Sequence, residues 1–120
     1  MKKIRVVVAD DHKIVRLGIA ALLATEPDLV PVGEAENGVE AVRVALETRP
    51  DVIVMDLMMP KKDGVEATRE ILSHLPEAKI LILTAYGTSN DVALALEAGA
   101  AGALMKTADD SQIASVIRKL

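Results

Sequence analysis

Two hydrophobic patterns alternate along the chain. Short runs of β-branched and aliphatic residues are typical of strands that are buried on both faces of a sheet. They predict strands over Ile4–Ala9, Leu29–Ala35 and Val52–Met55 and over residues 78–84 and 103–105. Between these runs, apolar residues recur at spacings of three and four, which predicts helices. The predicted helices cover about residues 12–25, 39–48, 65–75 and 90–98, and a last one runs from Asp109 or Asp110 to the end.

The same spacing predicts which helix positions share a face. In the first helix these positions are Ile14, Leu17, Ala21 and Leu22; in the second, Val42 and Leu46 point inward; in the last, they are Ile113, Val116, Ile117 and Leu120. Pro31 and Gly33 favour an edge position for the second strand, since both weaken strand pairing. Gly99 is a candidate C-cap for the fourth helix.

Strict alternation of strand and helix, about five times over, predicts a parallel sheet with helices on both faces and right-handed crossovers. The length of 120 residues suits one domain with one core. We see no internal repeat, linker or low-complexity tract. The fold class is therefore α/β, with a single doubly wound sheet.

Composition excludes several classes of protein. The chain is 51% hydrophobic and 27% charged, which excludes disorder, and no apolar run is long enough for a membrane span. It has no cysteine, so disulfides and zinc–thiolate sites are excluded. With no export signal either, we expect a cytoplasmic protein. The net charge of −4 makes nucleic acid a poor partner, and a single aromatic residue, Tyr86, makes flavin stacking improbable.

Polar side chains end four of the five predicted strands. Asp10 and Asp11 follow the first, Asp56 follows the third, Thr84 ends the fourth and Lys106 follows the fifth. The carboxyl ends of parallel strands share one edge, and ligands bind at that edge in open α/β sheets. We therefore expect three carboxylates, a hydroxyl and an ammonium to converge there.

This set of groups suits phosphoryl chemistry. Three neighbouring carboxylates repel one another, and a hard divalent cation such as Mg²⁺ or Mn²⁺ relieves that repulsion. The cation and Lys106 would neutralise phosphoryl oxygens, Thr84 would donate to one of them, and Asp56 is the candidate nucleophile. Each residue also has a structural interpretation: Asp10 and Asp11 as a helix cap, Asp56 as a turn residue, Thr84 as a strand residue, and Lys106 as a solvated strand end. His12 and His74 are interpreted as surface residues without chemistry.

Several motifs, in order, resemble one known family. They are VVVADDHKIVRLGIAALL, GEAENGVEAV, PDVIVMDLMMPKKDG, ILILTAY and EAGAAGALMK. Together they cover nearly the whole chain and resemble a bacterial two-component response regulator receiver domain of the NarL/FixJ type. The resemblance implies a (βα)5 flavodoxin-like, CheY-like domain with strand order 2-1-3-4-5.

The resemblance also implies roles for the residues at the sheet edge. Asp56 would accept a phosphoryl group from the phosphohistidine of a sensor histidine kinase. Four oxygen donors would bind Mg²⁺, namely the carboxylates of Asp10, Asp11 and Asp56 and the carbonyl of Met58. Thr84 and Lys106 would contact the phosphoryl oxygens, and phosphorylation would shift the domain to an active conformation. On this interpretation the chain is not an enzyme but a phosphoacceptor that assists its own phosphorylation and dephosphorylation.

The chain departs from the family pattern at two positions. Ala103 stands where the family usually has an aromatic residue, so the usual coupling of that ring to the threonine cannot operate. Thr107 stands where many members have proline, which leaves the geometry of the preceding peptide bond open. Met58 and Tyr86 flank the expected phosphoryl position, and we expect these bulky residues to slow self-dephosphorylation. Tyr86 is also the only ring that could report the state of Thr84.

The expected partners follow from this role. A kinase must approach the sheet edge, which points to the residues His12, Lys13, Ile14, Arg16, Thr107 and Ala108. A homodimer on phosphorylation, through the last helix or the fourth-helix face, is plausible. Residues 1–120 would form the receiver domain, and a C-terminal helix-turn-helix DNA-binding domain, common in this type, is absent from this chain. We expect no nucleic-acid or membrane binding by this domain.

Three alternative functions compete with this interpretation. A phosphatase of the haloacid dehalogenase type needs a second Asp two residues after the nucleophile, where this chain has Met58. A flavodoxin-like flavin binder needs a hydroxyl-rich phosphate loop and aromatic residues. The third alternative is a receiver that acts as a protein-binding module without phosphorylation, and the sequence is compatible with it.

Overall fold

The computed structural model describes residues 3–85 and 89–120. Tyr86 lies outside the described residues, as do the expectations that rest on it. Strands and helices alternate from end to end, as predicted. The strands are β1 (Ile4–Ala9), β2 (Leu29–Ala35), β3 (Val52–Met55), β4 (Lys79–Thr84) and β5 (Gly102–Met105). The helices are α1 (Lys13–Thr25), α2 (Gly38–Thr48), α3 (Gly64–His74), α4 (Ser89–Glu97) and α5 (Asp110–Lys119).

The five strands form one parallel sheet in the order β2-β1-β3-β4-β5, which confirms the predicted fold. β3 lies at the centre, and all four of its residues are buried. β2 is an edge strand, as Pro31 and Gly33 indicated, and its register with β1 shifts between Val6 and Val7. This arrangement brings the ends of β1, β3 and β4 side by side.

Two hydrophobic cores cover the two faces of the sheet. Residues such as Ile53, Met55 and Ile71 pack with α2, α3 and α4 on one face. Val54 and Ile117 pack with α1 and α5 on the other. Neighbouring residues of β3 therefore point to opposite cores, as successive strand residues must. No helix in the described part of the chain is both long and apolar enough to cross a membrane.

Side-chain caps begin three of the helices. Asn37 accepts a hydrogen bond from the Glu40 backbone N–H at α2, and Asp63 caps α3 in the same way. Asp109, and not Asp110, caps α5, where it forms a reciprocal capping box with Gln112. These caps satisfy backbone donors that the first helical turn leaves without partners. At α1, His12 occupies the N-cap position but its side chain makes no capping hydrogen bond.

The prediction for α1 is wrong at three of the four residues expected to share a face, and only Leu22 of that set is buried. Ile14 is 82% exposed, Leu17 is 56% exposed and Ala21 is exposed too, whereas Ile19, Leu22 and Leu23 are buried. Lys13 and Arg16 are the only charged residues in α1, so the helix is apolar on nearly every side. Periodicity therefore cannot select the buried face of such a helix. In α2 the prediction holds for buried Val42, but Leu46 is 36% exposed.

Two glycines within helices stand in opposite environments. Gly64, the first residue of α3, packs so tightly that an added Cβ would collide with the Asp56 carbonyl oxygen and crowd the Leu57 Cα. Gly18, in the middle of α1, has open space where a Cβ would point. Gly64 therefore allows the loop after β3 to close against α3, while Gly18 has no such packing reason.

We expect Gly64→Ala to lower the free energy of unfolding by about 1–3 kcal/mol, because it forces the backbone apart at the end of β3. Gly18→Ala, the matched control, should raise it by about 0.5–1 kcal/mol, since alanine is the better helix former. Urea unfolding followed by circular dichroism measures both. Equal stability of Gly64→Ala and the parent domain would contradict the packing argument.

Candidate acidic site at the carboxyl edge of the sheet

Four strand ends bring polar side chains to one edge of the sheet. Asp10 follows β1 and Asp56 follows β3, and the parallel register pairs the preceding residues, Ala9 and Met55. Thr84 ends β4, and its carbonyl accepts a 2.9 Å hydrogen bond from the Lys106 backbone N–H just after β5. The clustering therefore follows directly from strand order and register.

Lys106 connects two of the carboxylates. Its Nζ lies 2.7 Å from Asp10 Oδ2 and 3.3 Å from Asp56 Oδ2. The side chains of Asp10 and Asp56 are only 3% and 4% exposed, and that of Lys106 is 16% exposed. One ammonium thus faces two buried carboxylates in a region where water screens charge weakly.

A third carboxylate and an imidazole complete the cluster. Asp10, Asp11, His12 and Asp56 each offer one ligand atom, and these atoms lie within 4.8 Å of one another. Three of the donors are carboxylate oxygens, the kind of ligand that Mg²⁺ and Mn²⁺ prefer. The chemistry of the donor set therefore fits a divalent cation.

Arg16 is hydrogen-bonded to the backbone of this cluster. Its Nη1 donates to the Asp10 carbonyl oxygen at 2.7 Å, and its Nε donates to Glu34 Oε1 at 2.9 Å. The side chain is only 11% exposed. Arg16, which we expected to contact a kinase, is hydrogen-bonded here to the strand end that carries Asp10.

Thr84 carries a hydroxyl without a partner. The residue is 1% exposed, and its Oγ1 makes no hydrogen bond. Burying an unsatisfied hydroxyl costs about 1–3 kcal/mol, so such a group calls for an explanation. Thr68 in α3 has the only other unpaired buried side-chain polar atom among residues 3–85 and 89–120, and it lies within a helix, not at a strand end.

The charges at this edge shift the pKa values of two groups. Burial raises the pKa of the Asp56 carboxyl, the charge of Asp10 raises it further, and Lys106 and a backbone hydrogen bond from Met58 offset only part of this. Burial by itself lowers the pKa of the Lys106 ammonium. The hydrogen bond to Asp10 and the negative charge of Asp56 outweigh that effect, and the net change is upward. The edge therefore has more negative charge than Lys106 can neutralise.

The loop that follows Asp56 closes against the start of α3. The Gly64 N–H donates to the Leu57 carbonyl at 2.9 Å, which closes the loop, and the Met58 side chain is 61% exposed. The peptide bond between Lys106 and Thr107 is trans, as are all those described. Ala103 is half-buried and packs against the core shared with α2, α3 and α4.

Sequence reasoning missed two residues of this site. His12 was interpreted as a surface residue without chemistry, and both His12 and Arg16 were expected to contact a kinase. Residue spacing carries no signal for either residue, because both contacts arise where the first turn of α1 passes over the strand end that carries Asp10. A separate cavity of about 530 Å³ lies at the amino ends of the strands, beside His74 and Lys79. None of the acidic-site residues lines it.

Comparison with known proteins supports one family. The profile of the response regulator receiver domain matches residues 6–118. The transcriptional regulatory protein LiaR of Bacillus subtilis is 47% identical over 115 residues, which are 96% of this chain and 54% of LiaR. The response regulator protein VraR of Staphylococcus saprophyticus is 44% identical over 97% of this chain and 56% of its own length. The chain thus spans about half the length of these curated relatives.

Solved structures agree with this assignment. The signal receiver domain of the putative response regulator NarL from Mycobacterium tuberculosis superposes with a TM-score of 0.94 at 32% identity, over 99% of this chain and 96% of that one. A LuxR-family two-component response regulator from Aurantimonas gives a TM-score of 0.92 at 39% identity, over 98% of this chain and 84% of that one. The chain therefore belongs to the family of response regulator receiver domains of two-component systems, with relatives of the NarL/FixJ type.

Proposed function

We propose that Asp56 accepts a phosphoryl group from a sensor histidine kinase, in the presence of Mg²⁺, and that this event switches the domain to an active conformation. The observation that carries the proposal is a buried carboxylate, 3.3 Å from the Lys106 ammonium, at the same edge as the unpaired hydroxyl of Thr84. A phosphoryl group brings oxygens that accept from both donors. The buried hydroxyl would then gain the partner that it lacks.

Receiver domains bind Mg²⁺ at an acidic pocket, and this chain has the corresponding cluster of aspartates. Asp10, Asp11 and Asp56 would hold the ion together with the Met58 carbonyl. When bound, the ion supplies positive charge that neutralises the carboxylates and the incoming phosphoryl oxygens. Lys106 supplies a second positive charge that this chain provides itself.

The proposed transfer exchanges one bond to phosphorus for another. An Asp56 carboxylate oxygen forms the new P–O bond, and the P–N bond to the kinase histidine breaks, with its electron pair returning to the imidazole. Asp56 must be ionised to act, which Lys106 favours. The site offers positioning and charge stabilisation, which dominate catalysis of phosphoryl transfer.

For the kinase we propose a docking surface formed by the exposed residues Lys13, Ile14 and Leu17 of α1. Ile14 and Leu17 are exposed apolar residues on a helix whose only charges are positive. A cleft of about 320 Å³ between α1 and α5 adjoins this surface and is lined by Gly18, Ala108 and Lys106 itself. The surface is thus continuous with the reaction site, which a kinase helix carrying the phosphohistidine must reach.

The wider role belongs to the same proposal. LiaR is a transcriptional regulatory protein, and both LiaR and VraR are about twice as long as this chain. We therefore propose a cytoplasmic protein whose output is transcription, exerted through a DNA-binding domain beyond this one. Phosphorylation would then alter contacts of this domain, through a homodimer or with that second domain. A change from mostly inactive to mostly active needs differential stabilisation of about 5 kcal/mol.

Intact mass spectrometry after incubation with acetyl phosphate tests the acceptor directly. We expect one added phosphoryl group in the parent domain with Mg²⁺, none with EDTA, and none in Asp56→Asn. Thr84→Val, which removes the hydroxyl and keeps the shape, should give the adduct more slowly. Absence of an adduct under every condition would favour a protein-binding module that acts without phosphorylation.

Charge reversal on α1 tests the docking surface. We expect Lys13→Glu to slow phosphotransfer from a kinase that phosphorylates the parent domain by about tenfold, because it alters electrostatic complementarity. Its reaction with acetyl phosphate should be unchanged. Lys119→Glu, an equivalent reversal at the exposed end of α5, is the control. An equal loss with acetyl phosphate would show damage to the site instead.

The raised pKa of Asp56 predicts a pH-dependent gain in stability for Asp56→Asn. Because folding disfavours the ionised carboxyl, the parent domain loses stability as the pH rises from the ordinary value of 3.8 through the raised one. In EDTA, Asp56→Asn should therefore have the higher urea midpoint at pH 7, and the difference should vanish towards pH 4. A pH-independent difference between Asp56→Asn and the parent domain would contradict the prediction.

A further inference from the structure

We propose that His12 is a further ligand of the metal site and gives it an affinity for divalent transition ions that the aspartates alone do not provide. This rests on the metal site of the proposed function but concerns a different residue. The ions in question are those that bind imidazole well, such as Ni²⁺, Cu²⁺ and Zn²⁺.

The imidazole lies directly over the carboxylate cluster. His12 Nδ1 is 3.1 Å from Asp11 Oδ1 and 3.3 Å from Asp10 Oδ1. A ligand atom of His12 also lies within 4.8 Å of one on Asp56. Ligand atoms bound to one ion are separated by distances of this order, so the ring needs no large movement to join the site.

Neither helix capping nor burial explains this position of the ring. His12 is the N-cap of α1, yet its side chain makes no capping hydrogen bond. The side chain is 67% exposed, so packing does not hold it either. Its contacts with Asp10 and Asp11 are what bring it over the site.

The two oxygens of Asp10 face two different groups. Oδ2 faces the Lys106 ammonium at 2.7 Å. Oδ1 faces His12, accepting from its backbone N–H at 2.8 Å and lying 3.3 Å from Nδ1. An ion that joins the carboxylates on the Oδ1 side therefore meets the imidazole, while Lys106 keeps its own contact on the other side.

The donor chemistry then determines which ions benefit. Mg²⁺ prefers oxygen ligands and retains several waters, so an imidazole adds little to its binding. Later transition ions gain a strong bond to nitrogen and follow the order Ni²⁺ < Cu²⁺ > Zn²⁺. Such an ion would share Asp10, Asp11 and Asp56 with Mg²⁺ and would therefore compete with it.

Isothermal titration of the untagged domain with Ni²⁺ and, separately, with Mg²⁺ tests the inference. We expect His12→Ala to weaken Ni²⁺ binding by about 10- to 100-fold, at least the loss seen when only a partner of a metal ligand is removed. Mg²⁺ affinity should stay within about twofold. His74→Ala removes the chain's other histidine, which lines the cavity at the amino ends of the strands, and should change neither affinity. No cap is lost in His12→Ala, so we expect it to fold as the parent does.

Electron paramagnetic resonance of the Cu²⁺-loaded domain gives a direct signature. Nitrogen coupling from one imidazole should appear in the parent and in His74→Ala and disappear in His12→Ala. Equal changes in Ni²⁺ and Mg²⁺ affinity, including no change, or nitrogen coupling that survives in His12→Ala, would overturn the inference. Failure of the parent domain to bind Mg²⁺ would instead count against the proposed function, while the Ni²⁺ and Cu²⁺ measurements would still decide the role of His12.

Discussion

The shared contact of the Lys106 ammonium with Asp10 and Asp56 is the interaction on which the site depends. It joins the ends of β1, β3 and β5 across the sheet, at distances of 2.7 and 3.3 Å. Two carboxylates that are nearly excluded from water repel each other, and a cation placed between them relieves that repulsion. The parallel register of the sheet brings the three groups together. The Lys106 ammonium then reduces the repulsion between the two carboxylates.

One ammonium does not neutralise all the negative charge at this edge of the sheet. Asp11 adds a third negative charge, and the pKa of Asp56 stays raised by burial and by Asp10 despite its contact with Lys106. Thr84 adds a buried hydroxyl with no acceptor. Under the proposed function, a metal ion supplies the missing positive charge and a phosphoryl group supplies the missing acceptor. Excess charge and an unpaired donor both reduce stability in the free domain, and both become useful once those groups bind.

Strand positions and their polar ends could be predicted from the sequence because both depend on local chemistry. Continuous apolar runs such as Val52–Met55 occur in buried strands, and the residue that ends each run lies at the common edge of the sheet. The orientation of α1 could not be predicted, because a helix with two charged residues has no polar face to oppose its apolar one. The positions of His12 and Arg16 depend on how the first turn of α1 passes over Asp10. That is a tertiary relation, which residue spacing does not encode.

Ala103, in place of the aromatic residue usual in the family, limits how phosphorylation could change the conformation of the rest of the domain. A methyl group packed against the core has no rotamer to change, so β5 must respond through its backbone. That backbone is directly connected to the site. The Lys106 N–H donates to the Thr84 carbonyl, while the side chains of the same two residues would contact the phosphoryl group. Under the proposed function, a phosphoryl group that draws both side chains towards Asp56 therefore pulls on the ends of β4 and β5 together. Because β5 is an edge strand with only β4 as its neighbour, it can move without disturbing the pairing of β1 with β3.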